Sequence, residues 1–375
     1  NEDFLYVFII SREGAQVLSL KVDDLNEELL TLTDALTTQN LPLYKKKAQI
    51  LYETLLAPIK SILEKKELII APYSELWQLN FDLLLTDEVT TNNPKKLPYV
   101  LKKHAISYVN SASVRFSRPA ARKDVLEECL AFSFTGDETA IPEKQEVRLE
   151  RLRDGITDLP GTWKEISEIA SVFDGVYYYG DEAKEANFKK YASQYAILHL
   201  ALHGEVNDKN PNNSRLFFTQ TNDSLEDDHL FAHELYAMKL NAELAVLSAC
   251  STGDGKVSTG EGLMSLGNAF QYAGTKSLLL SQWEVADNSA PNLMGQFYTN
   301  LKNGMSKSRA LQQAKLSYLE SADLNRVHPL YWGSFYLLGN NKPIEFSNMN
   351  YSYWVFLAFL ILLAGFFVWN RRNTK

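Results

Sequence analysis

The chain has 375 residues, 38 basic and 46 acidic side chains, six histidines, two cysteines and a formal charge of -8. Two cysteines exclude a disulfide-stapled mini-protein and the usual zinc-finger and iron–sulfur layouts. The acidic balance argues against a protein built to coat nucleic acid, while 45% apolar residues provide for a substantial core.

No methionine opens the chain. Asn1-Glu2-Asp3 runs straight into Phe4-Leu5-Tyr6-Val7-Phe8-Ile9-Ile10, so further chain is expected upstream. Residues 4–10 and 15–22 predict a hairpin around Arg12-Glu13-Gly14. Residues 24–37 and 45–66 predict helices, the second bent at Pro58, and residues 68–71, 81–85 and 104–109 predict short strands. Residues 1–120 thus form a first α/β unit.

After Pro119 the pattern becomes regular. Strands are expected at residues 129–134, 175–179, 196–202, 244–249, 276–281 and 332–338, and helices at 161–173, 184–192, 228–238 and 260–272. Two more helices are expected within 289–320, separated near Asn303-Gly304. Apolar strands alternating with amphipathic helices specify a mostly parallel sheet flanked by helices on both faces. The second unit is expected to span residues 121–341, with residues 342–350 as a separate juxtamembrane linker. Residues 346–370 carry no charge, and 351–369 predict a transmembrane helix bounded by Tyr351, Tyr353, Trp354 and Trp369. The tail 370–375 holds Arg371, Arg372 and Lys375. The expectation is therefore a single-pass membrane protein with its short tail in the cytoplasm.

In open α/β sheets, sites form beyond the carboxyl ends of the strands. Two strand ends carry reactive side chains there: His203-Gly204 after residues 196–202, and Cys250 after residues 244–249. A thiol beside an imidazole can be activated as a nucleophile. Backbone N–H groups of Gly204 and Cys250 would form an oxyanion hole, Gly204 offering approach without a Cβ. Against this, a Cys closing a strand is usually packing. Cys129 reads as core, His199 as an interior histidine, and His104 and His328 as structural. His229 and His233 lie four apart on a predicted helix, a metal-binding spacing. Glu234 is misplaced for the HExxH pattern, however, and no third ligand is evident, so no metal is expected. The glycine-rich run 253–262 fails as a phosphate loop because Val257 follows Lys256, and no cofactor is expected. Asp287 and Glu284, after residues 276–281, could receive a basic substrate side chain, although Asp287 could equally cap the next helix.

These pieces fall in a familiar order: Leu159-Pro160-Gly161-Thr162-Trp163, Gly180-Asp181-Glu182-Ala183, Leu202-His203-Gly204, Asn210-Pro211, Leu247-Ser248-Ala249-Cys250-Ser251-Thr252-Gly253, Gly260-Glu261-Gly262, Ser281-Gln282-Trp283-Glu284 and His328-Pro329-Leu330-Tyr331-Trp332. From about 120 to 340 the chain resembles the CHAT domain, a caspase-like cysteine peptidase domain of clan CD often preceded by tetratricopeptide repeats. The resemblance implies an endopeptidase with His203 and Cys250 as its dyad, a protein or peptide substrate, and residues 1–120 as a degenerate, non-catalytic half. It also implies an upstream repeat domain or other regulatory partner. The chain departs from the family at Gln282, where Leu is more usual, and at Glu284, where Pro is common. The expected function is a membrane-anchored, regulated signalling protease; the alternative is a catalytically silent signalling or scaffold module.

Overall fold

The structure, a computed structural model, describes residues 3–11, 13–63, 67–111, 126–134, 161–207, 209–219, 227–248, 261–283 and 289–346. The chain opens with the hairpin β1 (Asp3–Ser11) and β2 (Gly14–Val22), whose register closes at Ser11 opposite Gly14. Its alternation sorts the side chains: Leu5, Ile9 and Leu18 pack inward, while Phe4, Tyr6, Phe8 and Ile10 face outward and exposed. Helix α1 (Leu25–Thr37) follows. Helix α2 (Leu41–Leu55) starts earlier than its periodicity suggests, because Asn40 accepts the Leu43 N–H at 3.2 Å and Pro42 fits the first turn. It also ends earlier: Pro58 turns the chain into a 3₁₀ turn at Ala57–Ile59 instead of bending a longer helix.

Strands β3 (Leu68–Ile70) and β4 (Ile106–Tyr108) belong to the first 120 residues. The strand expected at residues 81–85 is instead a 3₁₀ turn, Phe81–Leu83, followed by a single bridge from Leu85 to Tyr99. Asn80 dictates this by accepting the Asp82 N–H at 3.1 Å.

The remaining elements follow the expected beat: β5 (Glu127–Ser133), α3 (Thr162–Ala170), β6 (Gly175–Tyr179), α4 (Glu185–Tyr191) and β7 (Tyr195–Ala201). Then come β8 (His203–Glu205), β9 (Arg215–Phe217), β10 (His229–Phe231) and α5 (Ala232–Leu235). The chain continues through β11 (Leu244–Leu247), α6 (Glu261–Tyr272), β12 (Ser277–Ser281), α7 (Ala290–Lys302), α8 (Lys307–Ser321) and β13 (Phe335–Gly339).

Among the described residues, eight strands form one sheet in the order β3-β4-β13-β12-β11-β7-β5-β6. Every neighbouring pair is parallel except β12 and β13. Two parallel blocks therefore meet at one antiparallel seam, and the strands from the first 120 residues continue the sheet beyond β13. The register aligns His199, Val246, Leu279 and Leu337 in one row. That row faces α7, where Tyr298 meets His199. Leu280 and Leu338 point the other way, toward Gly267 of α6. Helices thus cover both faces, as the buried apolar strands require. Close approach makes Gly175 obligatory: a Cβ there would stand 2.0 Å from the Cys129 carbonyl oxygen.

Among the described residues no helix is long and apolar enough to cross a membrane. The span expected at 351–369 and its basic tail lie outside the described residues.

Candidate functional site

Strand β7 is buried along its whole length, between β5 and β11. It delivers His203 just beyond its carboxyl end, where the side chain emerges half-buried. The Phe134 N–H donates to the Ala201 carbonyl at 3.1 Å, carrying the end of β5 alongside. The Phe134 ring then meets the His203 imidazole edge-on, with centroids 4.8 Å apart. The imidazole thus has apolar support and stays partly accessible. Gly204 is buried and lies opposite Leu216 of β9.

On the neighbouring strand, Leu247 lies opposite Leu200, and the Ser248 N–H donates to the Leu200 carbonyl at 3.2 Å. Cys250, the second residue after Ser248, lies outside the described residues, as do Glu284 and Asp287. The approach to those two acids is well held. Gln282 donates its backbone N–H to Ser334 O and its side-chain Nε2 to Trp77 O, both at 3.0 Å. The Trp283 indole donates to Leu330 O at 2.8 Å.

Beneath the rim lies a buried polar chain. His199 Nδ1 is 2.8 Å from the Tyr298 hydroxyl, and its Nε2 is 3.2 Å from Glu165 Oε1. Glu165 Oε2 accepts from the Ser248 hydroxyl at 3.3 Å. Burial raises the Tyr298 phenol well above its ordinary pKa, with Cys129 and Glu165 nearby adding to the effect. The position expected for His199, interior to the sheet, is observed. Glu165 and Tyr298 were not singled out as site residues. The signal for Glu165 was a carboxylate on the buried helix face that Thr162, Ile166 and Ile169 share.

Cys129 is fully buried, and burial pushes its thiol up to about 12, so it is core and not a nucleophile. The metal geometry considered for His229 and His233 does not form. Residues 228–238 are not one helix: His229 lies on β10 and His233 on the single turn α5, which begins where Glu234 accepts the Phe231 N–H at 2.9 Å. Among the described residues no group of three His, Cys, Asp or Glu side chains could hold a metal. His328 is buried, and its pKa is lowered to about 4 by that burial; its Nδ1 accepts the Leu330 N–H at 3.3 Å, a structural role.

A helix-covered, mostly parallel sheet with a histidine just beyond the carboxyl end of a central strand defines an α/β protein of the kind in which sites form on the strand rim. More narrowly, the sequence matches the CHAT domain over residues 45–340, and the chain belongs to that family. It is 32% identical over 116 residues to tetratricopeptide repeat protein 28 of Mus musculus, a stretch covering 31% of this chain and 5% of that protein. The Homo sapiens protein of the same name is 31% identical over 121 residues, covering 32% and 5% respectively. The chain thus matches only a small part of the length of these relatives. Among solved structures it is similar to gingipain R, an Arg-specific cysteine proteinase, with a TM-score of 0.44 and 7% identity over 85% of this chain and 76% of that one. It is also similar to Saccharomyces cerevisiae separase in complex with securin, with a TM-score of 0.37 and 12% identity over 66% of this chain and 15% of that one.

Proposed function

We propose that the chain is a cysteine endopeptidase with His203 and Cys250 as its catalytic dyad. The observation that supports this best is the placement of a partly accessible His203 just past the end of β7, whose neighbour β11 leads in sequence to Cys250. Membership of the CHAT family supports the same chemistry. In the proposed reaction the Cys250 thiol gives its proton to the His203 imidazole, and the sulfur attacks the scissile carbonyl carbon. The N–H groups of Gly204 and Cys250 receive the oxyanion. As the C–N bond breaks, His203 returns the proton to the leaving amine. Water, deprotonated by the same imidazole, then hydrolyses the thioester and frees the thiol. Asp287 and Glu284 are the candidates for receiving a basic side chain at the residue before the cut. No metal or organic cofactor enters these steps.

Incubation with a thiol-reactive peptide probe tests the nucleophile directly: labelling is expected on Cys250 and lost in Cys250→Ala. Absence of labelling, with wild type and Cys250→Ala producing the same cleaved neighbours in a proteome digest, would overturn the peptidase reading in favour of a silent scaffold. Cleavage after Arg or Lys would support the acidic pocket; cleavage after apolar residues would reject it. We also propose that residues 351–369 anchor the chain in a membrane, with an upstream repeat region or other partner as regulator. Extraction at alkaline pH checks the anchor: the full chain should stay with the membranes, and a chain cut at residue 346 should not.

A further inference from the structure

The small sheet that follows His203 holds side chains for which the proposed dyad has no use. Its register sets His203 beside Phe217 and Phe217 beside His229; in the second row Glu205 stands beside Arg215 and Arg215 beside Phe231. Directly opposed residues share a face of a sheet. The intervening Gly204, Leu216 and Leu230 are buried, so the six side chains occupy the opposite face, half-exposed. That face is already assembled. Phe217 and His229 meet edge-on at 5.0 Å, and Phe231 stacks on His233 at 5.1 Å. The Arg215 guanidinium lies over both Phe217 and Phe231, at 4.9 and 5.5 Å from the ring centroids. Its charge is met locally, because Nε and one terminal nitrogen donate to Glu205 Oε2 at 2.9 and 2.7 Å.

A flat aromatic surface whose one strong cation is neutralised offers little to a charged ligand and much to an apolar or aromatic side chain. Its place relative to the dyad selects which part of a substrate reaches it. His203 must hand its proton to the leaving amine, so the fragment on the carboxyl side of the scissile bond departs past the imidazole. The platform begins at His203 itself and extends across two further strands, about 10 Å, the length of roughly three extended residues.

We infer that this face binds the first residues on the carboxyl side of the cut and selects apolar or aromatic side chains there, with Phe217, His229 and Phe231 setting the preference. The inference rests on the dyad reading. It is tested with a proteome-derived peptide library cleaved by the full chain. A matched pair made from a recovered sequence completes the assay: a peptide running several residues past the cut, and its truncation ending in an aminocoumarin amide. In His229→Ala and Phe231→Ala the ratio of kcat/KM, extended over truncated, should fall about tenfold, and the library should lose its apolar preference after the cut. Phe231→Leu, which keeps the bulk without the ring, should fall between these and wild type, and melting temperatures identify any variant that has lost its fold. Cleavage with an unchanged ratio, or an equal loss on both substrates in folded variants, overturns the platform and leaves the dyad standing. No cleavage by wild type beyond the Cys250→Ala level overturns the dyad, and the platform with it.

Discussion

The seam where β13 meets β4, joining the late part of the chain to the early part, and the carboxyl rim of the same sheet handle buried polar groups in opposite ways. At this seam buried and half-buried side chains tie the early part of the chain to the late part. Lys315 Nζ, fully buried on α8, donates to Asp82 Oδ2 at 2.6 Å and to Phe335 O at 2.7 Å. Asn80 Nδ2 donates to Gly333 O at 2.7 Å and Phe335 O at 3.2 Å. Glu67 accepts from Ser306, Arg309 and Asn341 at 2.8, 2.6 and 2.9 Å. Under the rim, the chain from Tyr298 through His199 and Glu165 to Ser248 instead reaches toward the segment that carries Cys250. The seam groups close on one another and on backbone, whereas the rim chain ends at a strand terminus. Buried charge serves as a clamp in one region and as a support for the proposed site in the other.

Breaking the clamp should have the largest effect. Lys315→Ala leaves Asp82 buried without its cation and is expected to cost about 3–5 kcal/mol, measured by urea unfolding. Replacing both partners, Asp82→Leu with Lys315→Met, should recover most of that loss. A neutral Lys315→Ala would mean that the seam is not held by this pair.

Next is the acid response of His328. Burial lowers its pKa from 6.5 to about 4, so between these values the unfolded chain holds the extra proton. Stability should therefore be complete above pH 6.5 and fall as pH drops toward 4, by roughly 3 kcal/mol at most. His328→Asn, which keeps an acceptor for Leu330, should flatten that part of the stability profile.

Smaller still, Glu165→Gln should cost about 1–3 kcal/mol, and its mark should be a displaced pH profile of kcat/KM. The same stability loss with an unmoved profile would make Glu165 a packing residue only. Smallest in stability is His203→Ala, about 1 kcal/mol or less because the side chain is half-exposed, with turnover abolished. A large destabilisation there would count the rim histidine as structural.

The long buried strands could be read directly from sequence: the run of residues 195–201 has one environment along its length, and its apolar character is decisive. The short strands β8, β9 and β10 could not, since their residues mix polar with apolar side chains and Leu230, Phe231 and Leu235 mimic a helix face, whereas the equally short β3 and β4 lie in apolar runs. Residues 81–85 misled for the converse reason; an apolar run was bent by a single Asn80 side chain. His203 was found because a polar residue ended an apolar strand. The Asp82–Lys315 pair was not, because partners 233 positions apart leave no local trace. Glu165 lies just past the quoted Leu159–Trp163 motif, but its contact with His199 depends on how α3 crosses the sheet.

Strand β13 follows the other described strands in sequence and yet lies inside the sheet, with β12 on one side and β4 on the other. During synthesis β3 and β4 leave the ribosome long before their neighbour exists, and β12 waits as well with one edge bare. The arrival of residues 335–339 seals two exposed edges together. Loop closure over the long stretch from Tyr108 to Leu338 makes this a slow, late step. Until it happens β4 and β12 each keep one edge unpaired and Lys315 lacks its Phe335 acceptor, so a nascent or clipped chain lacking β13 is an aggregation-prone species and not a smaller working domain.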